Sequence, residues 1–184
     1  MTLQEMKKKV LGLIEELNPS SPALTDDPDI ATKLNDVINQ IQNELARIKK
    51  IPAKKTLEVL NNDEVDLKDI DEKIYQLNIV RGVENVVLGD TILFNGHGTA
   101  KVYYYKYPTQ ITSETTNEYE FELSQDLLEI MPYGVAGDLL KSDISANYGQ
   151  IYSSRYEQLK QQFDPRYHTG SIYIDTGGEN SEFL

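Results

Sequence analysis

Residues Asn95 to Pro108 read NGHGTAKVYYYKYP, a glycine-punctuated turn that runs directly into a strand bearing four tyrosines and halted by a proline. Along Thr99 to Tyr107, alternation puts Tyr103, Tyr105 and Tyr107 on one face and Ala100, Val102, Tyr104 and Lys106 on the other. Tyrosine and valine at period two fit a pleated, half-buried surface, so this stretch belongs in a sheet. Its neighbours supply partners. Glu84 to Leu88 and Thr91 to Asn95 flank Gly89-Asp90, a tight hairpin turn. Ile74 to Val80 alternates as a strand, and Lys55 to Leu60 reads as a short one. The expected product is one antiparallel sheet of four or five strands. Asn61 to Glu72 is an acidic connection, and Glu118 to Leu123 adds a brief edge strand.

Helical patterns lie on both sides of these strands. Leu3, Met6, Val10, Leu13, Ile14 and Leu17 line one face of a first helix, which Asn18-Pro19 ends. Asp26-Asp27-Pro28-Asp29 announces a second: an aspartate caps free amides, proline fits the first turn, and acids complement the dipole. Its stripe runs from Ile30 through Leu34, Ile38, Ile41 and Leu45 to Ile48, with Arg47, Lys49 and Lys50 at the C-terminal end where the dipole favours bases. A helix from Pro28 to Lys49 is roughly 33 Å long. Ser124 is a candidate cap for a third, with Leu127, Leu128, Met131, Val135, Leu139 and Leu140 on its apolar face and Pro132 predicting a kink or restart. Tyr148, Tyr152, Tyr156, Leu159 and Phe163 make a last helix, closed by Asp164-Pro165. The expected class is α+β, a helical bundle of N-terminal and C-terminal helices (1–50 and 124–163) with a small antiparallel sheet inserted over 54–122. Residues 1–165 form one domain, and Arg166 to Leu184 form a glycine-containing arm or flexible tail without helical period.

The chain's 184 residues suffice for a real core. The start MTLQEMKKKV lacks an apolar signal core, and no apolar run nears 18 residues, so neither a leader nor a membrane span is expected. The product is expected to stay in the cytoplasm where it is made. Zero cysteines exclude disulfides, thiolate zinc sites and cysteine nucleophiles. The net charge of −12 is uneven: residues 1 to 60 hold nine bases and nine acids, and the rest hold nine bases and 21 acids. Negative potential repels phosphate, which disfavours tight nucleic-acid binding. Acidity serves solubility, or else gives a surface that lets DNA pass without sticking.

No catalytic or metal constellation is legible. His97 and His168, the only histidines, lack partners at ligand or general-base spacing. His97 reads as an exposed turn residue. Asp26, Asp27 and Asp29 read as caps. Asp63, Glu64, Asp66, Asp69, Asp71 and Glu72 read as solvated charge, because neither cluster has the glycine of a calcium loop. The glycines of 96–98 precede their strand, so they are no phosphate cradle, and no GxSxG element is present. The expectation is a protein without enzymatic activity, cofactor or metal. Tyr103, Tyr105 and Tyr107 then remain as either sheet packing or a subunit contact. Base stacking would need a basic groove beside the rings, and this stretch of sequence is acidic.

The order of parts resembles one family. Two N-terminal helices come first, then a small sheet ending in GTAKVYYYKYP, a helix containing VAGDLL, and a tyrosine-rich helix ending in YEQLKQQF. Together these resemble the head-to-tail adaptor proteins of tailed bacteriophages, especially the tail tubular or connector type of short-tailed phages. Gly98, Tyr104, Tyr107 and Pro108 in the strand, with Val135, Ala136, Leu139 and Leu140 in the helix, carry the likeness over about residues 1 to 165. The resemblance implies a virion structural protein, made in the host bacterial cytoplasm, that forms a ring of twelve copies between the portal protein and the next tail protein. Double-stranded DNA would pass through the ring without specific binding, and no membrane is involved. It also implies a C-terminal arm that grips the portal, with Tyr167, Ile172, Tyr173, Ile174 and Phe183 as anchors. The alternative is a small acidic protein-binding or regulatory module that meets a partner through the tyrosine face. A hydrolase using the acidic clusters is a more distant third.

Overall fold

The structure is a computed structural model that describes residues 1–71, 73–141 and 147–163. The fold is mixed α+β, with five helices and six strands among the described residues. In chain order come α1 (Leu3–Leu13), α2 (Pro28–Ile48), β1 (Ile51–Val59), β2 (Glu64–Asp66), the single turn α3 (Leu67–Ile70), β3 (Ile74–Arg81), β4 (Asn85–Leu88), β5 (Thr91–Phe94), β6 (Gly98–Lys106), α4 (Gln125–Leu139) and α5 (Tyr148–Lys160).

Local chemistry sets the helix ends. Thr2 and Glu5 form a reciprocal capping box on α1, with Thr2 N–H donating to Glu5 Oε2 at 2.8 Å. α1 stops one turn before Asn18-Pro19, at odds with the stripe that extends to Leu17. Glu15 takes a left-handed φ of 60°, and Glu16 N–H donates to Leu11 O at 2.9 Å, which closes the helix early. Leu17 is consequently left 37% exposed. Asp27 caps α2 through Asp29 N–H at 2.8 Å and Ile30 N–H at 3.2 Å, with Pro28 in the first turn as read from sequence. α4 runs through Pro132 without restarting. An interior proline costs about 3 kcal/mol. That cost is offset by burial: Leu127, Leu128, Met131, Val135 and Ala136 are each at most 2% exposed, and α1, α2 and α5 all pack against this helix. Ser124 holds the N-cap position without a capping bond from its hydroxyl.

The strands make two three-stranded antiparallel sheets rather than one sheet of four or five strands. The first has order β1-β6-β3, with β6 central, and the second β2-β5-β4, with β5 central. In the first, Lys54 and Ile79 both lie opposite Tyr103, and Pro52 and Gln76 lie opposite Tyr105. β1 starts at Ile51, earlier than the Lys55 read from sequence. The acidic stretch 61–72 contributes β2, whose Glu64 pairs with Leu93, so it is more than a connection. The predicted strand over Glu118 to Leu123 reduces to one bridge between Thr2 and Glu120.

Two apolar clusters result. Leu3, Met6 and Val10 of α1, Ile38, Ile41 and Leu45 of α2, and the α4 residues share one, together with Tyr156 of α5 and Ile51, Ile111 and Phe121. The other lies between the sheets: Ile92 and Phe94 of β5 meet Ala100, Val102 and Tyr104 of β6, with Val59, Leu67 and Ile70. The polar stretch after Pro108 is pinned to α2. The Asn39 amide exchanges two hydrogen bonds with the Ile111 backbone, each 2.8 Å, and the fully buried Gln42 donates to Thr109 O at 3.0 Å.

Candidate functional site

The alternation of β6 decides what each tyrosine does. Ala100, Val102 and Tyr104 turn into the core between the sheets. Tyr104 is 5% exposed and its hydroxyl donates to Asp71 Oδ2 at 3.0 Å. Burial, and then the Asp71 carboxylate, push its pKa up to about 12. Tyr103 and Tyr105 turn outward and stay half-buried, and Tyr107 continues the row just past the strand end.

Every outward ring has a cation over it. The Arg81 guanidinium lies 5.9 Å from the Tyr103 ring centre, the Lys50 ammonium 4.8 Å from that of Tyr105, and the Arg47 guanidinium 5.8 Å from that of Tyr107. Each such contact contributes about 0.5–1 kcal/mol at an exposed site. Tyr75 packs against Tyr107 with ring centres 4.8 Å apart and planes tilted by 39°, and its hydroxyl donates to Ala46 O at 3.5 Å. Burial raises the Tyr75 pKa, and the neighbouring Tyr107 and Tyr105 add to it against the opposing charge of Arg47. Lys50 is further fixed by a 2.6 Å bond to Gln76 Oε1. Lys54, opposite Tyr103, and Lys101, two positions before it, extend the same face. Among the described residues none of these five bases is ion-paired with a carboxylate; the ion pairs there are Lys49–Asp126, Lys106–Glu122, Lys160–Glu44 and Lys160–Glu157.

The surroundings of the rings are thus basic, which corrects the acidic setting read from the neighbouring sequence. The bases arrive from elsewhere in the chain: Arg47 from α2, Lys50 from just beyond it, and Arg81 from β3. A stacking base would have to share each ring with the cation already placed over it. What the face offers a partner is a row of anchored positive groups between half-buried rings. Sequence reading missed Arg81, Lys54 and Lys101 as site residues and gave Arg47 and Lys50 to the helix dipole. The one sequence signal was Lys101 at period two before Tyr103 and Tyr105.

The other sequence candidates are local. His97 is exposed in its turn. Asp63, Asp66 and Asp71 accept the backbone N–H groups of Leu60, Lys68 and Lys73 at 2.6–2.9 Å, so they hold turns. Among the described residues no group of three or more His, Asp or Glu is placed to hold a metal ion, and no helix is long and apolar enough to cross a membrane. A cleft of about 430 Å³ lies where the ends of α1, α2, α4 and α5 meet, bordered by Ile14, Asp27, Ile30, Leu139 and Tyr152. Tyr167, Ile172, Tyr173, Ile174 and Phe183, named above as arm anchors, lie outside the described residues, as do Asp164 and Pro165.

Comparison with known protein families gives no match, and no curated protein is significantly similar to the chain.

Proposed function

We propose that this chain is a structural subunit of a tailed-bacteriophage virion: a head-tail adaptor that forms a ring, of twelve copies, between portal and tail and extends the DNA channel. One observation carries the reading. Helices from both ends of the chain share one apolar cluster, while the strands between them keep their own. In this reading the α+β fold is a helical bundle with an inserted antiparallel β region, the order of parts on which the adaptor resemblance rests. The bundle would seat on the portal, and Arg166 to Leu184 would grip it through Tyr167, Ile172, Tyr173, Ile174 and Phe183. The role needs neither a catalytic group nor a cofactor, and the protein would be found in the virion.

The test mixes the purified chain with its phage portal and measures mass by sedimentation or native mass spectrometry. A ring-sized complex is expected. A strict monomer that ignores the portal refutes the proposal. Deleting Arg166 to Leu184 is expected to weaken portal binding while the fold survives, and unchanged binding removes the arm.

The second reading, a small acidic protein-binding module, draws support from the tyrosine and cation face. Binding of a host protein with no affinity for portal would favour it.

A further inference from the structure

The two sheets share the core between them, so their other faces look away from each other, and these outer faces carry opposite charge. On the first sheet the register aligns Pro52, Tyr105 and Gln76, then Lys54, Tyr103 and Ile79, then Thr56, Lys101 and Arg81. Lys50 and Arg47 lean over the same row of rings. Five bases against Glu58 give this face a net +4, so the rest of a chain of −12 carries −16. Arg81 stands directly opposite Lys101, and like charges so paired destabilise a sheet. The fold tolerates that repulsion within one copy. On the second sheet the outer rows are Glu64, Leu93 and Val86, then Asp66, Thr91 and Leu88. This face is acidic along β2 and apolar along β4, where Val86 is 43% and Leu88 63% exposed.

We propose that the cationic tyrosine face of one copy docks on the acidic outer face of the second sheet of another copy, with Lys54, Lys101 and Arg81 meeting Glu64 and Asp66 and with Ile79 and Tyr103 covering Leu88 and Val86. The inference rests on the ring reading, and it names the contact that would build the ring. Two different faces on opposite sides of one subunit make a heterologous contact, which repeats head to tail and closes into a ring when the rotation allows. The charge pattern favours a protein partner over a nucleic acid. Each ring already has a cation placed over it, and the strong negative charge of the remaining chain repels a polyphosphate.

Sedimentation of the full chain at low and high salt tests the contact. Association is expected at low salt and is expected to weaken as salt screens the charges, whose range falls from about 10 Å at 0.1 M to about 3 Å at 1 M. The exposed pair Lys54→Glu with Lys101→Glu is expected to lower the association constant about tenfold or more. Lys101→Glu also relieves the repulsion with Arg81, and a thermal melt checks that the fold is kept. Glu64→Lys with Leu88→Lys is expected to do the same from the other side, and a one-to-one mixture of the two variants to restore association. A chain that stays monomeric at low salt, variants that associate as the wild type does, or a mixture that fails to rescue overturns the proposal. So does binding of a labelled single-stranded oligonucleotide that the lysine substitutions abolish. Portal binding is read separately. Self-association without portal binding keeps this contact and removes the adaptor reading, and a portal-bound ring insensitive to both variants does the reverse.

Discussion

α4 and α5 approach so closely at Gly137 that one added methyl group tests their contact. A Cβ placed on Gly137 would lie 2.5 Å from Ser153 Oγ, 2.9 Å from the Ser153 backbone N and 3.2 Å from its Cα. The hydroxyl can rotate away, whereas the backbone N moves only if the helices part by a few tenths of an ångström. Overpacking of this kind costs about 1–3 kcal/mol. Alanine gains about 1 kcal/mol over glycine in a helix interior, so Gly137→Ala is expected to lose about 0–2 kcal/mol net and to fall about 1–3 kcal/mol below a helix glycine-to-alanine change that meets open space. Gly12 in α1 supplies the control, because a Cβ there meets nothing within 4 Å. Gly12→Ala is therefore expected to gain up to about 1 kcal/mol. The propensity contribution roughly cancels between the two variants, so their difference isolates the helix contact. Urea unfolding midpoints read it, provided the slope is unchanged; in a chain of this size each kcal/mol is about 2–4 °C in Tm. A Gly137→Ala protein as stable as Gly12→Ala would refute the close packing of the two helices.

Two further outcomes follow from titrating groups. Burial opposes the charge of Glu122, but hydrogen bonds from Lys106 Nζ at 2.5 Å and Thr109 N–H at 2.8 Å, with the Lys106 charge, outweigh it and hold the carboxyl below its usual range. Its stabilisation is present above the ordinary glutamate pKa and lost as pH falls through the lowered one. Glu122→Gln is therefore expected to cost about 1–2 kcal/mol at neutral pH and to flatten the acid side of a stability-against-pH curve; an unchanged acid limb would count against the network. Tyr104 titrates in the opposite sense. Its pKa, raised to about 12, favours the protonated hydroxyl, so its contribution is complete below about pH 10 and falls as pH rises toward 12. Tyr104→Phe is expected to lose about 1 kcal/mol at neutral pH and to lessen the alkaline loss, and parallel alkaline curves for the two proteins would dismiss the Asp71 bond as its source.

What was legible in the sequence was whatever short-range chemistry dictates. Asp27-Pro28 and the isoleucine and leucine stripe gave α2 nearly to the residue, and Gly89-Asp90 gave the β4–β5 hairpin. Misses came where a longer-range contact overrode the local signal. Glu15 adopts a left-handed turn that glycine usually marks, so α1 ends without a sequence flag. β2 has one apolar residue, Val65, between two acids and reads as a connection until β5 pairs with it. Pro132 reads as a break, yet burial of α4 against α1, α2 and α5 carries the helix past it. The tyrosine face was half visible: period two gave the outward tyrosines, but the cations over them come from α2, the residue after it and β3, which no local pattern brings together.

The two apolar clusters also set an order of events during synthesis. The strands and the apolar residues that join them lie between Ile51 and Lys106, whereas α1 and α2 must wait for α4, which starts at Gln125. At about 5–20 residues per second, the stretch from Lys106 to Gln125 takes roughly 1–4 s to be made. For that interval the ribosome holds a chain whose β part already has all of its core residues while the stripe of α2 lies uncovered. The helical part becomes whole only once α4 and α5 have followed the strands. A partner that grips the helices therefore meets only chains whose β part has already been made, which keeps chains lacking it out of any assembly built on the helices.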